Sequence, residues 1–344
     1  MPHRTFAWFM LPSILAMVLF ITLPIGSVLV QSLFAKHERV MVEVENCGPF
    51  GCTTELRVDA SATAALQEAQ PLGRFAGLSN YTDRNHLALR EMGTILSAET
   101  SFRTKVAQVM NLPFWRALAF TLTYCFVVTP LAMALGFAIA LGVNTLPRMV
   151  KGPAIFVSIL PMIITPLVGS LILFWMFNPQ GILGATIQWL ADDPRLSLRA
   201  SATLTWITLL TYGVWTNAPF SFVVFYAGLQ TVPADTLESA MIDGASRWER
   251  IRYVVVPHLA PLATFVALVQ LMDNFRVFEP IVGFSAEANA TSLSWLVFND
   301  LVSADTQQFG SAAATSILTI AGVVVLLVPV LVRTWRDFNR KVAR

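Results

Sequence analysis

The chain has 344 residues, 55% hydrophobic and 13% charged, with a mean hydropathy of +0.63 and a formal net charge of +2. Soluble domains carry about 25% charged residues, so water is not the main solvent of this chain. The net charge is too small to argue for a nucleic-acid partner.

A hydrocarbon core about 30 Å thick needs roughly 20 apolar residues per helix. The first uncharged run that can supply them is Thr5–Ala35. It exceeds the apolar stretch of about 7–15 residues in a secretory signal peptide, so it is read as a signal anchor. Residues 1–35 form the N-terminal transmembrane helix.

Residues 36–112 follow as an extracytoplasmic insertion. Within it "RVMVEVENCGPFGCTTELRV" alternates apolar and polar residues on both sides of a Gly/Pro turn, the pattern of a β-hairpin. Cys47 and Cys52 flank that turn. On an oxidising side of the membrane they suit a disulfide; a pair of free thiols, or half a metal site, is the competing reading. "SATAALQEAQPLG" is helix-prone and closed by Pro-Leu-Gly, and the rest of residues 60–108 reads as short helices and loops.

Residues 113–344 read as a five-helix transmembrane core. Its uncharged runs are Ala117–Val143, Gly152–Ile187, Ala200–Ala234, Tyr253–Met272 and Gly310–Val332, making six spans with the first. Two of the six exceed one span and include a loop or helix end. Cys125 falls in the second helix as core packing. The fold class expected is therefore an all-α membrane protein with an α+β insertion after its first helix. With six crossings, one side holds Arg4, Arg148, Lys151, Arg247, Arg250, Arg252, Arg333, Arg336, Arg340, Lys341 and Arg344. The opposite short loops hold Arg195 and Arg199. Eleven cations against two place both termini in the cytoplasm by the positive-inside rule.

Between the fourth and fifth spans stands the segment "VPADTLESAMIDGASRWERIRYVVVPHLAP". Pro233 suits a first helical turn. Leu237, Ala240 and Met241 make an apolar stripe, and Gly244 breaks that helix with a tight turn. Ser246 and Glu249 stand at capping-box spacing for a second short helix, and Pro257 is expected to start the next membrane helix. A solvated linker is the plain alternative, but linkers are shorter and less ordered; a docking element for a cytoplasmic partner fits better.

Nothing in the chain reads as an enzyme. There is no Gly-Lys dipeptide for a phosphate-binding loop and no Gly-x-Ser-x-Gly elbow. His3, His37, His86 and His258 make no metal spacing.

At this point a resemblance enters. Glu238-Ser239-Ala240, three residues, Gly244, nine residues and Val254-x-Val256-Pro257 resemble the "EAA" loop of ABC importer permeases, with Ser239, Val254 and Val256 as departures. "IDGASRW" resembles the carbohydrate-uptake branch, the maltose-type permeases. "FAGLSNY", "PFWRALAFTL", "LPMIITPLVGSLILFWMFN", "TSLSWLVFNDLV" and "FGSAAATSIL" agree with it. The resemblance does not reach residues 36–72 or 84–108.

The resemblance implies a permease subunit of an ATP-driven importer in the bacterial inner membrane, moving a sugar or sugar derivative. The loop 232–257 would couple to an ATPase through Glu238, Ala240, Asp243, Gly244, Arg247, Arg250 and Pro257. Partners implied are a second homologous permease, two ATPase subunits, an extracytoplasmic solute-binding protein and membrane lipid, with no nucleic acid. No cofactor is expected on this chain; ATP and Mg belong to the ATPase. A sensing role, or a non-sugar solute, is the alternative. Substrate contacts are expected from Trp215, Thr216, Asn217 and Phe220 on the fourth helix and from Gln270, Asp273, Asn274, Arg276 and Glu279 on the fifth. A charge at mid-helix costs roughly 2.5–3.5 kcal/mol on insertion scales. Asp273 and Arg276 therefore either pair with each other or leave Arg276 free for an acidic substrate.

Overall fold

The computed structural model describes residues 3–37, 40–48, 51–194, 197, 201–302 and 308–342. Helix dominates. Four helices are long and apolar enough to cross a bilayer: Trp8–Gln31, Pro113–Thr145, Arg247–Phe275 and Phe309–Val332. Two shorter helices, Arg148–Ile163 and Pro166–Met176, add a fifth span if taken together, although they are bent by 93°.

That count departs from the six spans expected, two of them including a loop or helix end, at two places and for two reasons. Pro166 sterically disfavours the helical conformation in the residue before it, and Ile164 and Thr165 are both extended, with ψ of 125° and 141°. The run Gly152–Ile187 is thus broken, and it ends in a further short helix, Ile182–Ala191. The run Ala200–Ala234 does form one helix, Ala202–Leu229. Its threonines, Asn217 and tryptophans leave it less hydropathic than the four clear spans.

Residue contacts divide the chain into two units, 1–115 with 296–320 and 116–295 with 321–344. In the first, Met41–Gly48 and Gly51–Val58 pair antiparallel as a hairpin whose register sets Cys47 opposite Cys52. The side chains of both cysteines lie outside the described residues, as does the turn 49–50. Asp59 closes the hairpin and opens the helix Ala60–Ala69, its carboxylate accepting from the Ser61 and Ala62 amides at 2.9 Å each. The Ser61 hydroxyl, donating to Oδ1 at 2.6 Å, and these amides hold its carboxyl below the usual range. A two-residue ladder joins Phe34–Ala35 to Arg74–Phe75, and the helices Leu89–Ser97 and Phe102–Val109 follow.

In the second unit the helix Ala202–Leu229 packs against both Arg148–Ile163 and Val256–Phe275. Two apolar clusters sit along it. One gathers Phe120, Tyr124, Val128, Leu209, Val277, Ile281 and Phe284. The other gathers Ala140, Val143, Phe222, Phe225, Val255 and Leu259. Between Leu209 and Phe222 the same helix carries Thr216 and Asn217, so a polar layer is placed between two apolar ones.

Candidate functional site

Two places concentrate polar chemistry. The first is the loop after Leu229. A helix spans Ala234–Ile242 with Pro233 as its N-cap residue. Gly244 then takes φ of +77°, and a side chain there would meet nothing within 4 Å. The turn therefore needs glycine for its backbone angle and not for want of room. Ser246 caps the next helix, Arg247–Arg250, in a reciprocal box: the Ser246 amide donates to Glu249 Oε2 at 2.7 Å, and the Glu249 amide donates to Ser246 Oγ at 3.3 Å.

This second helix does not stop before the membrane. It runs through a π-helical turn, Ile251–Val255, into Val256–Phe275, so Pro257 lies inside a continuous helix and not at its start. The wider turn accommodates a proline that cannot donate to its i−4 carbonyl. Glu238, Asp243, Gly244, Arg247 and Pro257 are exposed, while Ala240 and Arg250 are half-buried. Ile242 is 86% and Trp248 78% exposed, with Met241 beside them. Arg252 sits 5.7 Å from the Tyr253 ring centroid. The loop thus presents an apolar tip flanked by arginines and carboxylates on a capped frame.

The second place is a cleft of about 440 Å³ in the polar layer, lined by Tyr124, Pro166, Tyr212, Thr216, Asn217, Asp273, Asn274, Arg276, Val277, Glu279 and Pro280. Six sequence-derived candidates, Thr216, Asn217, Asp273, Asn274, Arg276 and Glu279, meet here. Three do not. Gln270 is buried, 2% exposed, and donates to the Asn217 carbonyl at 2.9 Å and to Ser221 Oγ at 2.8 Å, tying two helices together. Phe220 packs on Phe265, ring centroids 6.4 Å apart. Trp215 lines a separate apolar pocket with Leu173, Phe177 and Ile207.

Arg276 and Asp273 form an ion pair, Nη2 to Oδ1 at 3.0 Å, with side chains 64% and 51% exposed. They are not at mid-helix. The helix ends at Phe275, Arg276 caps it at φ −96° and ψ 20°, and its amide bonds the Asp273 carbonyl. The charges therefore face an open cleft at a helix end, where each side chain is more than half exposed. Sequence reasoning missed Tyr124 and Tyr212. Both are buried aromatic residues in uncharged runs of their helices, where no periodicity separates a cleft-facing ring from a packed one.

Residues 106–338 match the family model described as the binding-protein-dependent transport system inner membrane component. The chain is 28% identical over 212 residues to the trehalose/maltose transport system permease protein MalF of Thermococcus litoralis, covering 60% of this chain and 70% of that one. It is 29% identical over 217 residues to the sn-glycerol-3-phosphate transport system permease protein UgpA of Agrobacterium fabrum, covering 59% and 70%. Its fold is similar to a chain of a bacterial ABC transporter involved in the import of the acidic polysaccharide alginate. The TM-score there is 0.60 at 18% identity, over 72% of this chain and 88% of that one.

Proposed function

This chain belongs to the family of binding-protein-dependent transport system inner membrane components, and we propose that it forms, with a second homologous permease, the translocation pathway for a sugar or sugar derivative. It is a transport subunit and not an enzyme. Two ATPase subunits, carrying the ATP and Mg, dock on the loop 232–257 at the cytoplasmic face of the bacterial inner membrane. A solute-binding protein delivers substrate from the other side. The chain crosses the membrane six times, counting the bent pair as one span and Ala202–Leu229 as another, with both termini inside. Residues 36–112 stand outside.

The observation that carries this reading is the frame around Gly244: two short helices, one capped reciprocally by Ser246 and Glu249, holding Met241, Ile242 and Trp248 out to solvent. A solvated linker has no use for an exposed apolar tip on a rigid base. Movement of the ATPases would pass through Arg247–Arg250 directly into Val256–Phe275, because the helix is unbroken.

Glu238→Lys and Gly244→Asp test it. Each variant is expected to insert at normal levels while ATP-dependent uptake and co-purification of the ATPase fall at least tenfold, the size of a lost hot-spot contact. Wild-type uptake by both variants would remove the coupling assignment.

A further inference from the structure

The cleft has unspent hydrogen-bonding capacity, and it is mostly of one kind. Asn217 Nδ2 donates to the Gly213 carbonyl at 2.8 Å. A carbonyl only accepts, so the amide's orientation is fixed and Oδ1 is left as an open acceptor. Asn274 Nδ2 donates to Thr129 Oγ1 at 2.9 Å, which turns its Oδ1 away from that bond. The cleft's cation, Arg276, is already paired with Asp273. Glu279 has no ion-pair partner among the described residues. Two carboxylates against one guanidinium give the lining a net charge of −1.

We propose, on the reading of this chain as an importer subunit, that Glu279 is a specificity-determining residue: it accepts from substrate hydroxyls and bars substrates that carry negative charge. A polyhydroxylated molecule supplies the donors that Asn217, Asn274 and Glu279 lack. A phosphate or uronate offers acceptors to acceptors. It also brings a second negative charge beside Glu279, which is exposed, and like charges about 6 Å apart at the dielectric of water, about 80, weaken occupancy about threefold. Arg276 does not offset this, because releasing it for the substrate leaves Asp273 uncompensated. On this proposal a neutral polyhydroxylated solute is favoured over the acidic substrate that the bare sequence left open.

The test reads the charge of the cleft without knowing the substrate. Thr216→Cys is placed in the whole transporter, in nucleotide-free membranes, with Cys47, Cys52 and Cys125 replaced by Ser. It is labelled with a trimethylammonium methanethiosulfonate and with the sulfonate analogue. Each rate is divided by that of the same reagent with 2-mercaptoethanol. The cation-to-anion ratio is expected to exceed one by roughly fivefold, and Glu279→Gln to lower it by about threefold or more. Val277→Cys serves as a second reporter should Thr216→Cys fold poorly. A ratio at or below one overturns the proposal. So does a ratio unmoved by Glu279→Gln, the absence of labelling at both reporters, or protection of the cysteine by sn-glycerol 3-phosphate. The ratio is read without ATP, so it stands or falls apart from the coupling variants, whose failure would instead remove the importer reading.

Discussion

His86 is buried, with Nδ1 2.7 Å from Asp83 Oδ1 and Nε2 3.1 Å from the Ser311 carbonyl. Ser311 in turn donates its hydroxyl to Asp300 Oδ2 at 2.6 Å. A carboxylate and a carbonyl both only accept, so the two ring bonds form together only on the imidazolium. Burial opposes that charge, but the hydrogen bond and the charge of Asp83, the Ser311 carbonyl and the charge of Asp300 outweigh it and raise the pKa. Asp83 and Asp300 are the charged groups that face the ring. A raised histidine stabilises fully below its unfolded value of about 6.5 and loses that contribution as pH rises through the folded value. Burial also raises Asp300, the hydroxyl of Ser311 and the charge of His86 working against it. Its effect falls in the same direction but at the acid end. The unit holding His86 should therefore resist thermal unfolding better at pH 6 than at pH 8. His86→Gln should flatten that difference and cost roughly 1.5–3 kcal/mol at pH 6, the worth of a charged hydrogen bond. An unchanged pH slope in the variant would show that another group titrates. Gly136 makes a steric prediction of the same scale. A Cβ there would lie 2.6 Å from the Phe222 amide nitrogen and 2.7 Å from the Ala218 oxygen, beside the Gln270–Ser221 bond. Gly136→Leu should destabilise by about 1–3 kcal/mol or more through overpacking, read as a lower detergent unfolding temperature, whereas Gly142→Ala, in open space on the same helix, should not.

Elements show where sequence reading succeeds and where it stops. The loop around Gly244 was legible because local chemistry dictates it: a proline at a helix start, a glycine at positive φ and a Ser-x-x-Glu box act within four residues of themselves. The hairpin was legible because period-two alternation survives without tertiary context. The π-helical turns were not. Both, Val18–Thr22 and Ile251–Val255, end two residues before a proline, Pro24 and Pro257. The sequence shows the proline but not whether the helix will break, kink or widen around it. Pro257→Ala should let the turn close to regular α-helix, rotating the coupling loop by about 100° against the span below it, one residue's worth of helical turn. Insertion should survive and ATP-driven uptake should fall; unchanged uptake would mean the turn is incidental. The cleft was half legible. Polar residues in apolar runs pointed to Thr216, Asn217, Asp273 and Asn274. Gln270 and Trp215 have equally suggestive side chains, and only packing sends one into a helix–helix bond and the other into an apolar pocket. The backbone register pairs Cys47 with Cys52, and a bridge between them is a separate expectation. An impermeant thiol reagent should label them only after reduction. Labelling in the absence of reductant would mean free thiols.

At the scale of the whole chain, the question is how many times it crosses the membrane. Four helices answer by hydropathy alone. Ala202–Leu229 does not, yet its 28 residues extend about 42 Å at 1.5 Å per residue, more than a hydrocarbon core of about 30 Å. Its deficit in hydropathy has a cause. It packs against Arg148–Ile163 and Val256–Phe275 and lines the polar cleft, so much of its surface meets protein and the cleft. A helix so placed can be poorer in leucine and valine than one that faces lipid all round. The crossing has a sharp consequence. Asp192, at the C-terminus of Ile182–Ala191, and Ser239, in the helix after Leu229, should lie on opposite sides. In intact cells an impermeant maleimide should react with Asp192→Cys and spare Ser239→Cys, and in inverted vesicles the pattern should reverse. The positive-inside count agrees, since arginines gather at 247, 250 and 252. If both cysteines react from the same side, Ala202–Leu229 does not span the membrane, and the loop 232–257 loses its access to a cytoplasmic ATPase.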